Sequence, residues 1–231
     1  MLSVFDLMEA STLDLELAAY LMARISRGAS FMVGAVPGGA GKTTVMCALL
    51  NFVPIEVPLV AATSEAVCEA TETAGSQPGC YVCHEIGSGH YFAYLWGRDL
   101  RDYCRLAEHG HMLATNLHAD DLEEARHQLC GDNGVPVENF NTFELLLFLR
   151  VGARSLDSQR WVEKVYSGNG SSGHVLVYDA KYGIRPEPDS EGYLADSEYV
   201  AACRGFLERA LTGGVRTVEE TRKACCKFLG R

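Results

Sequence analysis

Apolar positions along this chain recur with two periods, and the alternation between them sets out the elements. Leu17, Leu21 and Ile25, with Ala18 and Met22, repeat at helical spacing, and Ser11 with Asp14 three residues on predicts the start of that helix. Ser30 to Gly34 is a short apolar run that predicts a buried strand, and a helix follows from Thr43 to about Phe52, ended by Pro54. A second strand is predicted over residues 58–63, ending at Ser64-Glu65, then a loop through Thr71, Gly75, Ser76 and Pro78. Cys80-Tyr81-Val82-Cys83 predicts a third strand that ends in His84-Glu85. An amphipathic helix is predicted from Tyr91 to His109, stopped by Gly110, then a strand from His111 to His118 and a helix from Asp120-Asp121 to about Cys130.

After the turn at residues 131–134, Phe143 to Val151 is strongly apolar and Arg160 to Tyr166 alternates, as a strand does. Gly168 to Gly173, with Asn169, Ser171 and Ser172, predicts a hairpin loop before Val175 to Tyr178, which places two antiparallel strands at a sheet edge. Pro186 to Gly192 is a linker, and residues 199–211 and 218–229 are two final helices. Strands alternating with helices of this length predict an α/β fold with a mostly parallel sheet covered on both faces. The expected organisation is a main domain over residues 1–182 and a linker with a small C-terminal helical appendage over 183–231.

Where the first strand ends, the chain reads Pro37-Gly38-Gly39-Ala40-Gly41-Lys42-Thr43-Thr44. This is a phosphate-binding loop in which Val36 stands where the pattern G-x-x-x-x-G-K-[ST] has its first glycine. The chemistry needs backbone N–H groups turned around an anion, which small residues permit. Lys42 would reach the β- and γ-phosphates of ATP, the Thr43 hydroxyl would ligate Mg²⁺, and the helix dipole would add to both. The alternative is a glycine-rich turn that precedes Lys-Thr and binds nothing.

A buried strand that delivers an acid to the same sheet edge is where a water-polarising carboxylate belongs, and Glu85 is the candidate, with His84 standing where the aspartate of a Walker B strand is usual. The competing reading is a strand followed by an exposed glutamate.

Length and composition narrow the classes. The chain has 231 residues, 48% of them hydrophobic, enough for a large core, and a formal net charge of −10, which argues against a general grip on nucleic acid. No stretch is long and apolar enough to span a membrane, and the N-terminus lacks the layout of a signal peptide, so a cytoplasmic protein is expected. Nine scattered cysteines read as reduced thiols. Cys80-x-x-Cys83 followed by His84 invites a zinc reading, but a structural zinc site needs four ligands and no second pair at that spacing follows.

With the elements placed, the chain resembles the ATPase domain of the type II/type IV secretion ATPase family, which includes pilus assembly and retraction motors. The resemblance covers roughly Leu13 to Tyr166 and rests on the helix before the first strand, on Ser30 to Gly34, on the phosphate loop, on Ala48 to Pro54, and on Gly110-His111 followed by Thr115-Asn116-Leu117-His118-Ala119. It implies a RecA-like P-loop NTPase fold, Glu65 as the first acid of the family's Asp box, and His111 and His118 as histidines near the γ-phosphate. It also implies ATP or ADP and Mg²⁺ as ligands, self-association into a hexamer, and pilus, secretion or membrane-platform proteins as partners at the inner face of a membrane.

The chain departs from the family between Glu65 and Cys80, which is short and lacks the family's arginines, and at His84-Glu85-Ile86-Gly87, where the family has Gly-Glu-x-Arg. The domain that usually precedes the motor is not expected in these residues. These departures bear on hexamer formation and motor action more than on nucleotide binding. Three functions follow: an ATP hydrolase that drives conformational change, a nucleotide-responsive adaptor that hydrolyses little, and a P-loop small-molecule kinase, against which stands the lack of an Arg-rich lid segment.

Overall fold

The computed structural model describes residues 2–36, 38–72, 77–89, 91–152, 159–170, 173–185 and 196–230. Its centre is β1 (Phe31–Gly34), four apolar or small residues that are all buried. β1 is flanked in parallel by β5 (Met112–Leu117) and β6 (Leu145–Val151), with Gly34 opposite Leu117 on one side and Phe148 on the other. β3 (Cys80–Ile86) pairs in parallel with β5, and β2 (Leu59–Ala61) and β4 (Tyr94–Leu95) pair in parallel with β3. Beyond β6 the sheet turns antiparallel through β7 (Arg160–Gly168), β8 (His174–Asp179) and β9 (Gly183–Ile184), so the order is β2-β3-β5-β1-β6-β7-β8-β9. The parallel strands therefore end on one sheet edge, where the glycine-rich loop of residues 38–41 lies.

The period of two along β1 sends its side chains to opposite faces. Phe31 and Val33 join a core with α1 (Val4–Glu9), α2 (Leu15–Ile25) and α3 (Lys42–Leu49). Met32 joins a second core with α4 (Ser64–Glu72), α5 (Gly97–Arg105), α6 (Leu122–Arg126) and α7 (Val137–Asn141). The helices cover both faces, as the alternation of elements predicts. The boundary expected after residue 182 falls inside the sheet, because β9 pairs with β8. α8 (Ser197–Thr212) and α9 (Val218–Leu229) contribute Cys203, Leu207 and Cys225 to the same core as α2 and β1. The expected linker over Pro186 to Gly192, and Ser171 and Ser172 of the hairpin loop, lie outside the described residues.

Local chemistry explains the other differences. Ser3 and Asp6 form a capping box that starts α1, a helix absent from the sequence reading. Ser11 caps nothing; its φ of 55° places it in the turn between helices, and Asp14 caps α2 by accepting from the Leu17 N–H at 2.7 Å. Residues 64–72 form α4 rather than a loop, because Thr63 accepts from the Ala66 N–H and Val67 and Ala70 bury one turn apart. Gly75 and Ser76 lie outside the described residues. The helix expected from Tyr91 starts only at Gly97, since Tyr94 and Leu95 extend alongside Glu85 and Ile86.

Cys80 and Cys83 belong to the two opposite cores, and burial pushes both thiols up to about 12. All nine cysteines are free, and among the described residues no group of three or more His, Cys, Asp or Glu could hold a metal ion. No described helix is long and apolar enough to cross a membrane.

Gly34 is a place where only glycine fits. A Cβ there would stand 2.6 Å from the Ala119 carbonyl oxygen and 2.8 Å from Phe148 Cδ1, and the backbone atom cannot move aside. Gly34→Ala is expected to lower stability by about 1–3 kcal/mol, the usual scale of overpacking, measured as a lower urea midpoint. An unchanged midpoint would mean that the sheet edge yields freely.

Candidate functional site

Three strand ends build the site. β1 leads into the loop that holds Lys42, β3 ends with Glu85, and β5, which lies between them, carries Asn116 and leads to His118. Gly39 (φ 75°) and Gly41 (φ 96°) turn the loop, in backbone conformations that residues with a Cβ rarely adopt. Gly41 caps α3 without a side chain, which leaves the first amides of the helix open. Among the described residues, the amides of Gly38, Gly39 and Ala40 donate to no protein acceptor. Val36, where the motif has glycine, keeps an ordinary negative φ and a half-exposed side chain, so this turn does not need glycine there. Pro37 lies outside the described residues.

Lys42 is only 7% exposed although it begins a helix at the sheet edge. Its Nζ donates to the Ala35 carbonyl at 3.3 Å and stands 3.7 Å from Glu85 Oε2. Glu85 is 6% exposed. Burial raises its carboxyl above the ordinary range, and Lys42 first, then His118 and His84, oppose that shift. His118 completes the group, with Nε2 3.9 Å from Glu85 Oε2 and Nδ1 3.4 Å from Lys42 Nζ and 3.3 Å from the Val36 carbonyl. The last two contacts are alternatives: an unprotonated Nδ1 accepts from Lys42, whereas a protonated one donates to Val36.

Asn116 ties β3 to the start of α3. Its Nδ2 donates to the His84 carbonyl at 2.8 Å and lies 3.5 Å from the Thr43 hydroxyl. Two buried acceptors beside it, Asn116 Oδ1 and Glu85 Oε1, have no partner among the described residues. Buried polar atoms in folded proteins are nearly always satisfied, so two orphaned oxygens beside a lysine and a hydroxyl fit a site that receives donors, such as a hydrated cation or an ordered water.

Several contributors were not legible in sequence. Asp120 accepts from the Val36 N–H at 2.9 Å, and its other oxygen lies 3.3 Å from Arg150, which in turn donates to Glu163 at 2.7 Å. Glu163 is the main reason that Arg150 is held above its ordinary value. Arg160 donates from Nε to the Gly39 carbonyl at 3.0 Å. The β6–β7 pair thus holds the loop at two points, from residues more than a hundred positions away in the chain. Only Asp120, two residues after His118, stood near a motif.

His111 does not reach this site. It precedes β5 while His118 follows it, and a six-residue strand sets its ends roughly 20 Å apart. There its Nδ1 accepts from the Gly79 N–H at 3.1 Å, its ring packs edge-on against Tyr81, and burial lowers its pKa. Burial there disfavours its charged form, and its contacts are with the start of β3. Glu65 is exposed in the first turn of α4, on the same sheet edge as Glu85 but with no contact to Lys42 or Glu85 among the described residues. Thr44 lines a pocket beside the loop. A larger cavity of about 940 Å³, with Arg126, Phe140, Lys164 and His174 among its walls, contains none of the motif residues.

No family model and no curated protein sequence matches the chain. In three dimensions it is similar to the ATPase DotB of Yersinia pseudotuberculosis, with a TM-score of 0.51 and 11% identity over 96% of this chain and 62% of that one. Two further similar structures are the VirB11 ATPase of the Brucella suis type IV secretion system in complex with sulphate and the ATPase DotB of Legionella pneumophila. The first has a TM-score of 0.49 and 15% identity over 70% of this chain and 60% of that one. The second has a TM-score of 0.47 and 13% identity over 96% of this chain and 57% of that one. The chain thus spans less than two thirds of each of these structures. The similarity to the Yersinia ATPase is one of fold: a mostly parallel sheet with helices on both faces, shared over most of this chain.

Proposed function

We propose that the chain is an ATP hydrolase of the secretion-ATPase kind, whose turnover drives a conformational change. The observation that carries this reading is the meeting of Lys42 and Glu85, 3.7 Å apart and almost fully buried, beside an open glycine loop and an orphaned Glu85 oxygen. In this reading the loop amides from Gly38 to Thr44, with Lys42, hold the phosphates of ATP, and the Thr43 hydroxyl holds Mg²⁺. The cation supplies charge neutralisation when bound. Glu85 accepts from and orients a water, and Asn116 links the start of α3, at Thr43, to the end of β3 beside Glu85. His118, in contact with both Lys42 and Glu85, is placed to respond to charge at the same point.

As for the secretion ATPases it resembles, the proposed setting is cytoplasmic, peripheral at the inner face of a membrane through pilus, secretion or membrane-platform partners, and self-association into a hexamer would supply the arginines lacking after Glu65. A second reading, a nucleotide-responsive adaptor with little hydrolysis, is favoured by one observation. The residue before Glu85 is His84, so the strand brings only one carboxylate to this point. Phosphate release from Mg-ATP, measured at rising protein concentration, separates the two. A rate that appears or climbs per chain with concentration supports the hydrolase and its self-association. ATP binding with no turnover at any concentration supports the adaptor.

A further inference from the structure

β2 is the outermost strand on the parallel side of the sheet, and among the described residues its strand neighbour in the sheet order is β3 alone. Its other side is open to a further strand. The Cys80 N–H donates to the Pro58 carbonyl at 2.8 Å and the Ala62 N–H donates to the Val82 carbonyl at 2.9 Å, so Leu59 and Ala61, between them, turn their backbone groups away from β3. The Ala61 carbonyl accepts from the Thr63 N–H, which leaves the Leu59 N–H and carbonyl and the Ala61 N–H for a partner. Sheet edges are commonly protected by charged side chains, and β2 carries none.

Beside this edge lies a groove of about 720 Å³ between β2, α3 and α9, with Leu50, Ile55, Leu59 and Val218 as apolar walls. Ile55 is 60% exposed and Leu59 48%, so the fold leaves both in solvent. A strand added to β2 would set every second side chain on the face of Leu59, over this groove. The rim is charged by α9. Arg222 is engaged, donating to the carbonyls of Asn51 and Val53, whereas Lys223 is exposed and makes no hydrogen bond or ion pair among the described residues. With Glu219 the opposing acid, the rim keeps an excess of positive charge on a chain of formal net charge −10. We infer that the β2 edge and this groove dock an extended segment of a partner protein, apolar at alternate positions and bearing an acidic side chain that meets Lys223. Main-chain hydrogen bonds to Leu59 and Ala61 give such a complex its affinity, and the groove and Lys223 give it selectivity. A second copy of this chain fits less well, because it brings the same positive rim to the edge.

The test selects a random heptapeptide library, displayed on phage, against the full chain, and then measures synthetic copies of the enriched peptides by calorimetry. Enriched sequences are expected to carry apolar residues at every second position and at least one acid. Leu59→Glu is expected to weaken the peptides about tenfold or more, and Lys223→Glu about threefold or more. Should Leu59→Glu fail to fold, Lys223→Glu, on an exposed helix position, decides. Methylating alternate peptide nitrogens separates strand addition from simple apolar contact: one of the two alternating sets should abolish binding and the other leave it nearly intact, because only every second amide of an added strand faces β2. No enrichment, equal effects of the two methylated sets, or full binding to both protein variants overturns the inference. So does a wild-type chain that sediments as a dimer while Leu59→Glu sediments as a monomer, which would assign the edge to a second copy.

Discussion

Lys42→Ala is expected to weaken Mg-ATP binding by about ten- to a hundredfold or more, the equivalent of one or two charge-assisted hydrogen bonds at roughly 1.5–3 kcal/mol each. The size of the effect comes from burial. Lys42 is 7% exposed, so its charge acts on an anion through little solvent, and no other lysine or arginine contacts Glu85 among the described residues. The same substitution leaves the buried Glu85 carboxylate without its nearest cation, which raises its pKa further and leaves only His118 and His84 to oppose the rise. Calorimetry with ATP, alongside a thermal melt that shows the variant is folded, reads the binding loss separately from any stability loss. Equal affinity in a folded variant would remove the phosphate-loop assignment.

Glu85→Gln is expected to separate binding from turnover. Gln keeps the shape and removes the charge, so if Glu85 orients water, turnover falls roughly 10²-fold or more. ATP affinity is expected to stay level or to tighten, because the substitution removes a negative charge 3.7 Å from Lys42 in a site that receives an anion. Loss of binding would make Glu85 a metal or structural residue, and unchanged turnover would move water positioning elsewhere, with Glu65 the next acid on that sheet edge. The pH profile adds a second readout. Burial raises the Glu85 carboxyl above the ordinary range, and a base must be deprotonated to act. Wild-type turnover should therefore fall as pH drops through that raised value, at a higher pH than an exposed carboxylate would give. The small residual turnover of Glu85→Gln should lack this limb.

Patterns within one element were enough for much of this protein. A run of buried apolar residues ending in Gly38-Gly39-Ala40-Gly41-Lys42 implies a strand, a turn and a helix, because the chemistry of each lies within a few neighbouring residues. The same holds for β3 and β5, whose mostly apolar runs imply largely buried strands, and from there a mostly parallel sheet. Lys42 and Glu85 could be singled out because one starts the helix after such a strand and its glycine turn, and the other sits where such a strand ends. Missed local signals had local causes too: the Ser3-Asp6 capping box opens a helix of only six residues, too short for a helical period to show, and the Thr63 cap opens a helix of mostly small and polar residues.

Contacts between distant segments belong to the tertiary structure alone. That Arg160 holds Gly39, that Arg150 and Asp120 hold Val36, and that α1 and β7 line a pocket beside the loop depend on where β6, β7 and α1 pack, and no periodicity within a strand encodes its neighbours. His111 and His118 make the same point. In sequence they are two histidines at the ends of one strand run, and the resemblance places both near the γ-phosphate. The direction of β5 decides between them: a strand has two ends, only one of them lies at the edge where β1 and β3 deliver Lys42 and Glu85, and His118 is on that end.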